Sequence, residues 1–257
     1  MNGMNEPRVM PTKAMLLAAG QGTRLRPLTE NISKCMVPIA GKPMLEHNIE
    51  WLKKFGVTDI IINLHYKPEA ITNHFGDGGG FGVRITYSFE RELLGTAGAV
   101  KNVAPFFDTP FFVWYGDNLS TCRLDHLWES HGARGGVATI ALHYREDPTQ
   151  SGIVGLDEAG RIVRFLEKPR ADQVFSHWVS AGILVLEPIA LDAIPTGTPA
   201  DFGRDVFPAL LESGAPVYGY RMSEEESLWW IDTAADLERV RQAVSAGHPR
   251  SMQKEFS

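Results

Sequence analysis

The chain has 257 residues, and its 25 Lys plus Arg against 31 Asp plus Glu give a formal charge of −6. With 44% hydrophobic and 22% charged residues the composition is that of a folded globular protein, which excludes a disordered or fibrous chain. The acidic balance argues against general nucleic-acid binding but leaves room for a local basic pocket.

In chain order, residues 1–12 read as a tail. Lys13–Ala19 is an apolar run that predicts a buried strand ending in a Gly-rich turn. Met44–Phe55 has helical spacing at Leu45, Ile49, Leu52 and Phe55, with Gly56 as a stop. Val57–Leu64 predicts a strand, Pro68–Phe75 a helix begun by its proline, and Val83–Phe89 a third strand. Thr96–Val103 reads as a short helix, Phe111–Tyr115 as a buried strand, Leu124–His131 as a helix and Val137–Tyr144 as a strand. Ile153–Leu156 and Ile162–Leu166 flank Asp157–Gly160 as a hairpin. Val179–Leu186 is a strand, Asp205–Leu211 a helix, Val217–Arg221 a strand, and Ala234–Ala246 a closing helix ahead of a tail at 247–257.

Strand–helix alternation in the first half predicts a three-layer α/β/α, Rossmann-like fold. Its sheet is mixed and mainly parallel, with small antiparallel additions from the second half. No linker divides the chain, so residues 1–257 are expected to form a single domain, with a cleft over the carboxyl ends of the early strands. Cys35 and Cys122 cannot build a disulfide framework, and neither CxxC nor HExxH occurs, so both thiols are expected in the core or near a site. No signal-peptide pattern and no run of about 18 apolar residues is present. No membrane partner is therefore expected, and the cytoplasm is the expected compartment.

The most informative segment is Leu16–Pro43, LLAAGQGTRLRPLTENISKCMVPIAGKP. A strand runs into Gly20-Gln21-Gly22, where glycine lets backbone N–H groups approach phosphate oxygens. Arg24, Arg26 and Lys34 follow, and such cations suit a triphosphate. A dinucleotide fingerprint would need a third glycine and an immediate helix, but Leu25 and Pro27 stand there. A P-loop would need Ser or Thr after Gly41-Lys42, but Pro43 follows.

The run resembles the signature of the sugar-1-phosphate nucleotidyltransferases. It has a GxGTRLxPLT loop at Gly20–Thr29, a lysine at Lys34 and a PxxGKPM turn at Pro38–Met44. The resemblance extends over roughly residues 13–245. It implies that Ala19, Gly20, Gly22, Thr23 and Arg24 bind nucleotide, and that Arg24, Lys34 and Lys168 are catalytic. In SFERELLGTAGAV it implies base and sugar recognition by Glu90, Gly95 and Thr96. A Glu90 carboxylate can accept two hydrogen bonds from the Watson–Crick edge of guanine, whereas thymine offers one donor.

WYGDN resembles the family's NGD motif, with Trp114 and Tyr115 where smaller residues are common, and implies a Mg²⁺ ligand at Asp117. FLEKP resembles EKP, implying that Lys168 holds the sugar phosphate and Glu167 a sugar hydroxyl. Gly152 matches a glycine that lets the sugar lie near backbone. SAGILVL resembles a strand in which Asn commonly stands at Ser180, a sugar contact. LWWIDTAADL lacks the Gly and Pro of the common W-x-D-x-G-T-P run. It implies a second metal ligand at Asp232, with Asp236 on the helix and an N-cap role for Asp232 as the alternative.

The implied reaction joins an NTP and a sugar 1-phosphate with Mg²⁺ as cofactor. The overall look is nearest to mannose-1-phosphate and heptose-1-phosphate guanylyltransferases, so GTP is the expected donor; uridylyl, thymidylyl or cytidylyl transfer remains open. A catalytically inactive sugar-nucleotide-binding subunit is the alternative of another class, disfavoured because Arg24, Lys34, Asp117, Lys168 and Asp232 are all present. No hexapeptide repeat occurs, so an appended acyltransferase is not expected. A homo-oligomer is left open.

Overall fold

The computed structural model describes residues 9–245, so the expected tail at 247–257 and most of that at 1–12 lie outside the described residues. Pro11 is buried and Met10 packs on the core, so residues just ahead of the first strand already take part in the packing.

Four parallel strands make one side of a nine-stranded sheet: β1 (Lys13–Leu17), β4 (Asp59–Leu64), β5 (Arg84–Phe89) and β6 (Phe111–Tyr115), in the order β6-β1-β4-β5 with β5 at the edge. They are linked by crossovers through α1 (Met44–Lys54), α2 (Pro68–Phe75) and α3 (Gly95–Asn102). The short pair β2 (Pro38–Ile39) and β3 (Lys42–Pro43) forms a ribbon just before α1.

β1, β4 and β6 read as continuous apolar runs because both of their faces are buried, whereas β5, at the sheet edge, alternates. Ala14 and Leu16 of β1 point to one face and Met15 to the other. Ile60 and Ile62 oppose Ile61 on β4, and Phe112 and Trp114 oppose Phe111 and Val113 on β6. The first face is covered by α1, α2, α4 (Leu124–Arg134) and α6 (Ala234–Ser245). The second is covered by α3, a 3₁₀ segment at Pro188–Ala193 and α5 (Phe207–Glu212). The three-layer α/β/α architecture with a mainly parallel sheet is thus as expected.

The antiparallel additions come from β8 (Ala138–Tyr144), β9 (Gly152–Leu156), β10 (Ile162–Glu167) and β11 (Trp178–Leu186), with β12 (Val217–Arg221) parallel to β8 at the edge. β11 is the hinge of this arrangement. Through Ile183–Leu186 it pairs with β6, and at Val179 it pairs with β9. Between these stretches its register is interrupted, and Gly182 sits there in the left-handed region at φ 69°. The sheet therefore forks where β6 ends.

Two departures from the expected elements have local causes. The helix expected at Asp205–Leu211 is divided into a π-helical turn, Phe202–Val206, and α5. Pro208 lacks the N–H that a continuous helix needs, and the Asp201 carboxylate closes the preceding turn on the Gly203 N–H at 3.1 Å. β1 stops at Leu17, two residues early, because the next N–H, of Ala18, donates to the Asn63 side chain at 2.7 Å. No helix among the described residues is long and apolar enough to cross a membrane.

A Cβ on Gly182 would lie 2.9 Å from Tyr115 Cγ and 3.1 Å from Asn118 Nδ2, in backbone that L-residues rarely adopt. Gly182→Ala is expected to lower stability by about 1–3 kcal/mol in urea unfolding. Wild-type stability in that variant would contradict a conformational requirement at the fork.

Candidate active site

A cleft of about 320 Å³ opens over the carboxyl ends of the parallel strands. Leu17–Gly20 enter it from β1, Asn63 from β4, Glu90 from the end of β5, and Tyr115 and Asp117 from the end of β6. Gly22, Thr23, Arg24 and Lys34 line it from the Gly-rich loop and the turn behind it. Gly95, Thr96, Asp201 and Asp232 complete the wall. All eight residues expected to bind nucleotide, from Ala19 to Thr96, and both expected metal ligands therefore share one cleft.

Lys34 is at its centre. Its Nζ donates to Asp117 Oδ2 at 2.8 Å and to Asp232 Oδ1 at 2.7 Å, and Arg24 Nη2 lies 3.0 Å from the same Asp232 oxygen. Burial alone would push the Lys34 ammonium down, but the two carboxylates outweigh it and hold its pKa above the ordinary lysine value. Gly22 is needed for this packing. It lies at φ 60°, and a Cβ there would come 2.7 Å from Lys34 Cβ. Cys35 lines the floor of the cleft, and burial pushes its thiol up to about 11, so it is no nucleophile at neutral pH.

Asp117 and Asp232 are 115 positions apart in sequence and are joined by a small antiparallel ribbon. β7 (Asn118–Ser120) begins directly after Asp117, β13 (Leu228–Trp230) ends two residues before Asp232, and Trp230 faces Asn118. The motif residues around Asp117 fix its turn. Trp114 is fully buried and donates from Nε1 to Asn118 Oδ1 at 3.0 Å, while Asn118 Nδ2 donates to the Ala181 carbonyl at 2.9 Å. Gly116 abuts β1: its N–H donates to the Leu17 carbonyl at 2.9 Å. On the other side, Thr233 and Asp236 form the reciprocal cap of α6. Asp236 Oδ2 accepts from the Thr233 N–H at 2.8 Å, and the Asp236 N–H donates to Thr233 Oγ1 at 3.2 Å. Capping thus falls to Thr233 and Asp236, and the Asp232 side chain faces the cleft.

Glu90 is only 7% exposed and anchored at both oxygens: Oε1 accepts from Asn63 Nδ2 at 2.8 Å and Oε2 from the Leu94 N–H at 3.0 Å. Since a carboxylate has about four acceptor positions, capacity remains on each oxygen. Asn63 was not singled out in the sequence, yet it joins Glu90 to the Gly-rich loop through Ala18. The visible signal was a lone amide at the end of the apolar run IIINL. Gly95 and Gly98 make room for other backbone: a Cβ on either would meet Ala200 or Thr198 at 3.0 Å or less. Thr96 Oγ1 donates to Asp201 Oδ2 at 3.1 Å. Asp201 and Tyr115 were also missed. Burial, with Asp201 nearby, pushes the Tyr115 phenol up.

The four residues expected to bind sugar lie beside this cleft, on β9, β10 and β11 and just after β10, and do not line it. The space beside Gly152 is taken by the protein itself, since a Cβ there would sit 2.5 Å from the Phe165 ring and 2.7 Å from Glu167 Oε2. Gly203 clears the opposite side of the same carboxylate, at 2.4 Å. Glu167 is therefore slotted between two glycines. Lys168 is exposed with φ 47°, and Ser180 Oγ accepts from the Gly182 N–H at 3.4 Å.

The model of the nucleotidyl transferase family matches residues 13–241. The chain is 39% identical over 234 residues to the UTP–glucose-1-phosphate uridylyltransferase of Synechocystis, covering 86% of this chain and 59% of that one. It is 37% identical over 233 residues to the mannose-1-phosphate guanylyltransferase of Mycobacterium tuberculosis, covering 89% and 62%. The chain thus spans about three fifths of the length of these curated relatives. Among solved structures, HddC from Yersinia pseudotuberculosis complexed with GMP-PN superposes with a TM-score of 0.74 at 25% identity, covering 90% of this chain and 99% of that one. A Bacillus anthracis structure in complex with sucrose gives 0.80 at 24% identity, covering 90% and 94%, a likeness of fold alone.

The slot around Glu167 has a measurable cost. Burial, and then Asp201, raise its pKa, with Lys168 and Arg204 pulling the other way. An acid whose folded pKa lies above its unfolded value costs stability when ionised. That cost is complete above the folded pKa and absent below the unfolded value of about 4. Glu167→Gln is expected to melt higher than wild type at pH 7–8, and the gain should vanish as the pH falls below about 4. A melting series in which Gln is the less stable form at pH 8 would contradict the slot's electrostatics.

Proposed function

Because this chain belongs to the nucleotidyl transferase family, we propose that it transfers a nucleotidyl group from an NTP to a sugar 1-phosphate. The observation that carries the reading is the meeting of Arg24, Lys34, Asp117 and Asp232 within a glycine-loop cleft. An oxygen of the sugar phosphate attacks the α-phosphorus, the α–β bridging bond breaks, and pyrophosphate leaves with that bond's electron pair. A sugar phosphate is already nucleophilic at neutral pH, so a strong base is not required. The obstacle is repulsion between two polyanions, and positioned cations answer it.

Arg24 and the Gly20–Gly22 backbone cradle the triphosphate, Lys34 contacts a phosphate, and Lys168 orients the attacking group. Glu167 and Ser180 meet the sugar from the β9–β11 side, while Gly152 serves by admitting Glu167. We further propose Mg²⁺ as the cofactor. The donors fit it: two carboxylate oxygens reach one common cation position. No cluster of three or more His, Cys, Asp or Glu among the described residues forms a full cage. Such a set suits an ion that completes its shell with phosphate and water. Asp117 and Asp232 would hold it, and its charge would offset that developing on the α-phosphate.

For the base we propose guanine. Glu90 supports this, since its remaining acceptor capacity suits the two donors on the guanine edge. The Mycobacterium guanylyltransferase and the GMP-PN complex of HddC point the same way. A mannose- or heptose-type 1-phosphate is the proposed acceptor. The Synechocystis uridylyltransferase favours uridylyl transfer to glucose 1-phosphate as the second reading. We take the described residues to work as a single catalytic unit.

Pyrophosphate release should be measured for five triphosphates, dTTP included, against several sugar 1-phosphates. GTP with a mannose- or heptose-type phosphate is expected to be fastest. UTP preferred over GTP would overturn the guanine reading, and no release from any pair would overturn the enzyme reading. Separately, Asp117→Asn is expected to lower turnover by about 10³-fold with the fold intact by circular dichroism. Near-wild-type turnover at saturating Mg²⁺ would refute the metal role.

A further inference from the structure

The three charged groups at the centre of the cleft cannot all keep their present partners once a divalent cation is bound. The Lys34 side chain is 8% exposed, while those of Asp117 and Asp232 are 49% and 27% exposed. Its ammonium is thus the inner member of the trio, and it engages the very oxygens, Asp117 Oδ2 and Asp232 Oδ1, that bring the carboxylates to a common point. A dication seated on the same pair would stand beside a buried ammonium. Like charges at such a distance repel, and the Lys34 side chain, 8% exposed, has little solvent around it to screen that repulsion.

The lysine has little room to withdraw sideways. The loop lies close on one side, where even a Cβ on Gly22 would come 2.7 Å from Lys34 Cβ, and the Lys34–Met36 turn fixes its backbone. What can change is the partner of the ammonium at the tip. The adjoining cleft, lined by the Gly-rich loop and Arg24, would present a triphosphate to it.

We infer that Lys34 is a resident counter-ion: it holds Asp117 and Asp232 together without metal, and it resists cation entry until a triphosphate draws its ammonium away. Metal and nucleotide binding are then coupled through one side chain, each favouring the other. The inference rests on the metal reading above and adds an order to it. Without nucleotide, the carboxylate pair is a poor cation site because Lys34 holds the cation position and, with Arg24 on Asp232, offsets the pair's charge.

The test is nucleotide-free binding of Mn²⁺, followed by the electron paramagnetic resonance signal of the free ion. Wild-type protein should bind weakly. Lys34→Met, which keeps much of the aliphatic stem and loses the charge, should bind at least tenfold more tightly. Lys34→Gln is the second neutral variant and should shift the same way. Lys34→Arg retains the charge and should stay within about threefold of wild type. The metal-free melting temperature of the neutral variants should fall and recover on adding Mn²⁺.

Circular dichroism establishes that each variant is folded. Folded neutral variants that bind Mn²⁺ no more tightly than wild type would overturn the inference. If nucleotide-dependent Mn²⁺ binding is nonetheless abolished by Asp117→Asn, the metal reading survives that failure. If the gain in Lys34→Met persists when Asp117→Asn is added, the ion sits elsewhere, and both the metal reading and the inference fall.

Discussion

Two carboxylates and one ammonium, drawn from positions 34, 117 and 232, must meet at a single point, and much of the surrounding structure serves that meeting. The carboxylates repel one another, so each backbone must be fixed by something other than its charge. Asp117 is fixed from behind, by Gly116 against β1 and by Asn118 between Trp114 and Ala181. Asp232 is fixed from ahead, by the Thr233–Asp236 cap that starts α6. The β7–β13 ribbon joins the two fixed points. Remove the ribbon, and the parallel sheet alone would bring only one of the acids to the cleft.

A second line of order runs across the cleft from Ala18 through Asn63 to Glu90 and Leu94. Asn63 accepts with its carbonyl and donates with its amide nitrogen, so one buried side chain sets the spacing between the Gly-rich loop and the turn after β5. Buried polar groups are costly unless paired, and this chain of bonds pairs both ends of the amide. The net charge of −6 gives no hint of this local arrangement, in which a few cations sit among acids. Charge at a site is set by neighbours and burial, not by the sum over the chain.

Much of this was legible in the sequence, for definable reasons. β1, β4 and β6 are buried on both faces, so they appear as largely apolar runs, and Phe111–Tyr115 and Pro68–Phe75 have the expected limits. The Gly20–Thr29 loop could be read because its chemistry is local. What escaped was non-local or too short to be periodic. β7 and β13 have three residues each and no pattern of their own; they exist because they find one another across the chain. Asn63 and Asp201 depend on partners 45 and 105 positions away, and Tyr115 is set apart only by its place in the cleft wall. Gly152 shows the converse. Sequence alone assigns the glycine's open side to a sugar, but in three dimensions that side is filled by Phe165 and Glu167.

The β7–β13 ribbon also has a meaning in time. A chain is made from its amino end, and the Gly-rich loop, Lys34 and Asp117 all emerge before residue 228 does. Until then β7 lacks its antiparallel partner, and Lys34 has one acid to answer instead of two. A chain ending before Leu228 would carry the whole Gly-rich loop, Lys34 and Asp117 but neither Asp232 nor the partner strand of β7. The meeting of Lys34 with both acids therefore depends on nearly all of residues 9–245, a condition set by topology and not by any single residue.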